Sequence, residues 1–255
     1  MARGAGLITA SPASAARGPS GTRLDRPRGR QEDRAITANA STARASVAKS
    51  TSWSYAEHFV PESEAMERAR ARASELGIGA TGPGAGSLLR ALCAAADARS
   101  VVEVGTGAGV SGLWLLGGMP ADGVLTTIDV EVEHLRAARQ AFAEVGVRSG
   151  RIRGITGRAS DVLPRLTEGG YDLVLLDADP RGALGYLDRA VRLLRRGGVL
   201  AVAGALSHDR AGDPAQRDPA TTAVREIAKE LRAQEDLLPS LVPSSDGLLL
   251  AVRRR

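Results

Sequence analysis

Residues 101–111 read VVEVGTGAGVS, and no other segment limits the possible folds of this chain so tightly. An apolar run of strand type enters three glycines in five residues, Gly105, Gly107 and Gly109, and a helix-like stretch follows from Gly112. A second apolar run, residues 124–129, ends in Asp129. Strand, glycine turn, helix and a second strand closed by an acid is how an open α/β sheet holds a nucleoside. The turn lets a ligand approach the backbone, and the acid accepts hydrogen bonds from ribose hydroxyls. Taken alone, the glycine turn also reads as a purely structural turn. Asp129, at the end of the next strand, is what favours a ligand.

The turn is G-x-G-x-G and not G-x-G-x-x-G. The longer spacing sets a pyrophosphate on a helix N-terminus. The shorter one, preceded by Glu103, suits a nucleoside without phosphates. S-adenosylmethionine is the best-known ligand of that kind, and its amino and carboxylate groups need partners of both charges.

The chain has 255 residues, room for one α/β domain plus an appendage. Its net charge of +5 suggests a nucleic-acid partner, but the charge is unevenly spread. Residues 1–50 hold nine basic and three acidic side chains, so the rest is close to neutral. That segment has no aromatic residue and is rich in Ala, Ser, Gly, Thr and Arg, too little apolar surface to offset the entropy of ordering. It reads as a disordered basic tail. Its composition resembles a transit peptide; a non-functional extension and a nucleic-acid-binding arm are the other readings. No run of about 18 apolar residues is present, so no membrane span is expected. The single cysteine, Cys93, forms no intrachain disulfide and reads as a small buried apolar residue in a cytoplasmic protein.

Order is expected from Trp53. Helices are predicted over 62–76 and 87–96, with a glycine-rich loop over 77–86 between them. Strands follow at 100–104, 124–129, 151–156, 171–177 and 199–203. Helices alternate with them at 110–116, 132–145, near 161–166, at 184–194 and at 220–233, the fourth of these closed by Gly197-Gly198. Such alternation predicts a parallel sheet covered on both faces. The end departs from it: runs at 237–242 and 248–253 are separated by five residues, too few for a crossover, and predict an antiparallel hairpin. The expected fold class is therefore α/β, a Rossmann-like, seven-stranded, mostly parallel sheet with a C-terminal antiparallel hairpin.

These segments together resemble the class I S-adenosylmethionine-dependent methyltransferases. Within that class the chain is similar to the family-3 O-methyltransferases, relatives of catechol and caffeoyl-CoA O-methyltransferases, and to a mycobacterial-type "probable O-methyltransferase" subgroup. The resemblance covers roughly residues 53–255, which it marks as the methyltransferase domain, with residues 53–98 as N-terminal helices forming a lid or an interface in a homodimer. It implies S-adenosylmethionine as cofactor and a small-molecule acceptor. It places Gly105, Thr106, Gly107 and Gly109 beneath the methionine part, Ser111 at the cofactor carboxylate, Glu103 as the acid that helps hold the amino group, and Asp129 at the ribose. Ala159 falls at the adenine edge, Thr81 in the loop closing over the methionine end, and Asp177 and Asp179 at the end of the fourth strand, facing the sulfonium.

The catalytic half of the family pattern is missing. The relatives bind a divalent metal through the aspartate matched by Asp177 and an Asp-Asn pair after the fifth strand; here Ala203 and Gly204 stand in place of that pair. The family lysine is replaced by Pro180, and its Asn-Tyr pair by Gly182 and Ala183, leaving Tyr186. No metal is expected, the general base is unassigned, and His208 is the nearest replacement by sequence. His58 and His134 read as surface residues. O-methylation of a small molecule without the usual metal is the first reading. A catalytically degenerate cofactor-binding module is the alternative. A nucleic-acid methyltransferase ranks last, because the tail offers no aromatic residue for base stacking.

Overall fold

A computed structural model describes residues 50–255. The basic tail read over residues 1–50 therefore lies, except for Ser50, outside the described residues. The strands are β1 (Ser100–Val104), β2 (Val124–Asp129), β3 (Ile152–Thr156), β4 (Tyr171–Leu176), β5 (Leu194–Ala203), β6 (Leu237–Val242) and β7 (Leu248–Arg253). They form one seven-stranded sheet in the order β3-β2-β1-β4-β5-β7-β6. The first five pair in parallel, while β7 runs antiparallel to both β5 and β6. The predicted hairpin is present, and its second strand, not its first, joins the sheet.

Residues 50–57 are helical (α1). The other helices are α2 (Glu64–Glu75), α3 (Pro83–Ala95), α4 (Val110–Gly118), α5 (Val132–Glu144), α6 (Ala159–Val162), α7 (Pro180–Ala183), α8 (Leu187–Leu193) and α9 (Pro219–Ala233). Apolar residues of α2 to α5 cover one face of the sheet and those of α6 to α9 the other. In β4, Leu173 and Leu175 enter the first core and Val174 and Leu176 the second, all at most 1% exposed. Strands buried on both sides read as continuous apolar runs for this reason. The short helix α4 is buried from Val110 to Leu116, which explains why it carries no polar face. Cys93 lies in the same core, and burial pushes its thiol up to about 12.

Side chains set the helix starts. Ser63 accepts a hydrogen bond from the Met66 N–H at the head of α2, and Asp218 does the same for the Thr221 N–H in α9. The sequence places the start of α3 at Ser87, but the helix begins at Pro83, because proline's fixed φ suits the first turn. In the same way Asp179 and Pro180 open α7 ahead of the predicted position 184. Strand β5 is longer than expected: it starts at Leu194, which pairs with Tyr171, and passes through Gly197-Gly198 with a register shift. The two glycines therefore carry an irregular strand and do not close a helix. Asp172, read as exposed from its place at a strand start, accepts the Arg99 and Ser100 N–H groups and the Arg195 Nε–H, and ties β1, β4 and β5 together at the edge away from the glycine turn.

Strands β2 and β4 flank β1, so the chain leaves β1 toward one side of the sheet and later returns on the other. The crevice at such a switch point, beyond the carboxyl ends of the strands, is the usual ligand site of open α/β sheets. Here the crevice is narrow at its base. Gly105 has φ +95°, and a Cβ added to it would lie 2.0 Å from the Asp177 carbonyl oxygen. Gly105 N–H donates to Ile128 O and Asp177 N–H to Val104 O, so the ladder continues into the turn and leaves no slack. Gly105→Ala should therefore destabilise the domain by at least about 2 kcal/mol, from strain and overlap together. Denaturant titration against the unaltered chain measures it.

Candidate active site

A cavity of about 820 Å³ opens at that switch point, within the size range of small-molecule sites. Its walls come from the 78–81 loop, the glycine turn, the end of β2, the start of α5, the 157–160 segment and the chain from Asp177 to Tyr186. Of the eleven residues singled out in the sequence, nine line it: Thr81, Gly105, Thr106, Gly107, Ser111, Asp129, Ala159, Asp177 and Asp179. Glu103 and Gly109 do not reach its surface. Gly109 (φ +90°) turns the chain into α4, packed on Ala138 of α5.

Glu103 lies beneath the turn with no solvent exposure. It is a register partner of Thr127, so both side chains stand on one face of the sheet. Its carboxylate accepts hydrogen bonds from the hydroxyls of Ser111 and Thr127, each at 2.6 Å, and Thr106 bonds to Thr127 in turn. Each Glu103 oxygen thus takes one hydroxyl, and Ser111, which lines the cavity, links the buried acid to it. Burial pushes the Glu103 carboxyl up to about 7; the two hydroxyls oppose this, while the charges of Asp177 and Asp129 reinforce it.

Asp129 is 8% exposed and anchored from three sides. Gly107 N–H donates to Oδ2 at 3.1 Å, Glu131 N–H donates to Oδ1 at 3.0 Å, and His134 Nδ1 lies 3.1 Å from Oδ1. His134, which reads from the sequence as a surface residue, lines the cavity. A histidine in the first turn of the helix after a ribose-type acid is the signal that would have found it.

Across the cavity, the Thr81 hydroxyl donates to Asp177 Oδ2 at 2.6 Å. Burial raises the Asp177 carboxyl above its usual range, against the Thr81 hydrogen bond. The loop bearing Thr81 is held from behind. Arg70 of α2 pairs with both oxygens of Glu62 and donates to the carbonyls of Ala80 and Thr81. Arg70 escapes a sequence reading because an arginine on a polar helix looks like any solvated charge. At the far end, Arg181 forms a side-chain pair with Asp179 and holds it below the usual carboxylate range, while burial, aided by the Asp179 charge, pushes the Tyr186 phenol up to about 12.

His208 does not line the cavity. It stands in a left-handed turn with Ser207 and Asp209, is 82% exposed, and donates its backbone N–H to Asp246. Ala203 and Gly204, at the end of β5, bring no oxygen ligand. Among the described residues no group of three or more His, Cys, Asp and Glu side chains is suited to a metal ion. Hard cations need several oxygen donors, so the donor set of the metal-dependent relatives is not met here.

A parallel sheet ending in an antiparallel hairpin, with a glycine turn, a ribose-type acid and a second acid around one cavity, defines an S-adenosylmethionine-dependent methyltransferase. The chain belongs to the O-methyltransferase family, whose sequence profile matches residues 52–254. It is 53% identical over 201 residues to the protein named "Probable O-methyltransferase" in Mycobacterium tuberculosis, covering 79% of this chain and 90% of that one. Among solved structures, a Corynebacterium glutamicum protein is similar with a TM-score of 0.75 and 32% identity, over 82% of this chain and 98% of that one. The O-methyltransferase TomG of Streptomyces achromogenes, involved in tomaymycin synthesis and solved with S-adenosylmethionine, gives a TM-score of 0.70 at 30% identity, over 77% of this chain and 92% of that one.

The Glu103 shift has a measurable sign. Its folded pKa, about 7, lies above the ordinary 4.5, so the protonated form is the one the fold favours. That contribution is complete below pH 4.5 and is lost as pH rises through 7. Glu103→Gln keeps one donor and one acceptor, like the protonated acid. The variant should match the unaltered chain in thermal stability near pH 5 and exceed it at pH 8, as scanning calorimetry at the two pH values would show.

Proposed function

We propose that residues 53–255 form a cytoplasmic S-adenosylmethionine-dependent O-methyltransferase domain that acts on a small hydroxylated molecule without a divalent metal. The observation that carries this reading is the anchored Asp129 carboxylate in the same cavity as the glycine turn and Asp177. Asp129 takes the ribose, the backbone of Gly105, Thr106 and Gly107 the methionine part, and Ala159 the adenine edge. Ser111, backed by Glu103, meets the polar end of the amino acid. Residues 53–98 carry the Arg70-anchored loop that closes this end. Among the described residues no helix is long and apolar enough to cross a membrane.

When bound, S-adenosylmethionine supplies a methyl group already activated by a positive sulfur. What remains for the protein is to hold the acceptor oxygen in line, exclude water and accept one proton. Asp177 is the carboxylate best suited to that proton. It lines the cavity, Thr81 fixes its orientation, and burial raises its proton affinity. Asp179 is a poorer acceptor, because Arg181 holds its charge. With a phenol pKa near 12, Tyr186 keeps its proton at neutral pH and can donate a hydrogen bond to an acceptor. Family membership and the neighbour bound to S-adenosylmethionine favour turnover over a degenerate binding module.

Calorimetry with S-adenosylhomocysteine on the full chain tests the binding half: a dissociation constant of about 1–100 μM is expected (roughly 5 to 8 kcal/mol), and no heat at millimolar ligand would overturn the reading. For the chemical half, methyl transfer from labelled donor to a panel of phenols should be unchanged by excess EDTA. Asp177→Asn should lower kcat by about 100-fold or more, the usual range for losing a proton acceptor.

A further inference from the structure

The geometry points to His134 as a positioning residue for the nucleoside: its ring N–H holds the Asp129 carboxylate in the orientation that leaves Oδ2 facing a ribose hydroxyl. This rests on the binding site proposed above and adds to it a residue outside the glycine turn and its acid.

The argument is one of hydrogen-bond capacity. A carboxylate offers about four in-plane acceptor positions, two per oxygen. Around Asp129, Oδ1 takes the Glu131 N–H and faces His134 Nδ1, which fills both of its positions. Oδ2 takes only the Gly107 N–H, which leaves one position open. An ionised carboxylate only accepts, so the His134 nitrogen facing it is the one that carries the proton. Without that N–H, the carboxylate keeps one backbone contact on each oxygen, and Oδ1 loses the side-chain contact that fills its second position. The imidazole is itself largely enclosed, 19% exposed, and belongs to the cavity wall. Its helix begins only two residues before it, so its place relative to Asp129 is set by the short 130–132 connection and not by a long flexible arm.

Hydrogen-bonded neighbours that orient metal-ligating side chains are worth about 10- to 100-fold in affinity, and the lower end of that range is the expectation for an oriented ribose carboxylate. His134→Ala should therefore weaken S-adenosylhomocysteine binding about tenfold, whereas His134→Asn, whose amide N–H sits near the position of Nδ1, should restore most of the loss. Binding of the 2′,3′-dideoxy analogue should respond to neither change. In an Asp129→Ala background, which leaves the ring N–H no acceptor, His134→Ala should cost nothing further.

Calorimetry on the five proteins, with thermal melting as the control for folding, separates the outcomes. A His134→Ala protein that binds within twofold of the unaltered chain overturns the proposal. So does an equal loss for the dideoxy analogue, which would mean that the ring only packs, or a loss that simply adds to that of Asp129→Ala. An unaltered chain that binds no S-adenosylhomocysteine removes the proposed function itself, and this inference with it.

Discussion

A carboxylate without solvent, at the centre of the sheet, is the constraint around which this site is arranged. Glu103 occupies an interior position of β1, a strand paired on both sides, where an apolar residue would pack at no electrostatic cost. Its neighbours are what make it tolerable. Thr127 comes from the adjacent strand by register, Ser111 from the first turn of α4, and Thr106 completes the set from the glycine turn. The network fixes the turn to both strands and to the helix that follows. The turn's backbone can then face a ligand without support from the ligand itself.

Around this centre three acids share one cavity region: Glu103 below, Asp129 on the ribose side and Asp177 opposite. Their environments separate them. Asp129 is stabilised by two backbone N–H groups and His134, Asp177 has a single hydroxyl and is partly buried, and Glu103 has two hydroxyls and two negative neighbours. A ligand with two positive centres and a neutral sugar suits that distribution better than a phosphate-bearing nucleotide would, because no arginine or lysine stands in the glycine turn to balance phosphate charge.

The fold was legible in the sequence wherever local pattern and tertiary burial agree. β1, β2, β6 and β7 carry the bounds expected of them, and the antiparallel hairpin followed from a linker too short to cross over. The larger departures fall at proline and glycine: a proline that the pattern leaves in a loop opens a helix, and a glycine pair that reads as a helix end lies within a strand. Pro83 and Pro180 open helices, and Gly197-Gly198 lie within β5. For the site, strand-end residues such as Asp129 and Asp177 were readable because a parallel sheet forces its carboxyl edge into one place. Arg70 and the pairing of Glu103 are not, because a polar helix leaves one anchoring arginine undistinguished and the Thr127 partner of Glu103 comes from another strand; His134 carries a single local signal, its place in the first turn after Asp129. His208 shows the converse: a chemically suitable residue near the right strand, carried out to solvent by a left-handed turn.

The Arg70 anchor also bears on timing. Both carbonyls it grips, Ala80 and Thr81, belong to the loop that walls the cavity, and the guanidinium is itself locked by Glu62. Such a loop has given up its conformational freedom before any small molecule arrives. Its ordering entropy then belongs to folding, not to association, and a preformed pocket gains affinity by that difference. The same rigidity leaves little of the gating that slows many enzymes at the product stage. On the function proposed above, turnover is expected to depend on how the acceptor seats itself beside Asp177 more than on the opening and closing of the wall above it.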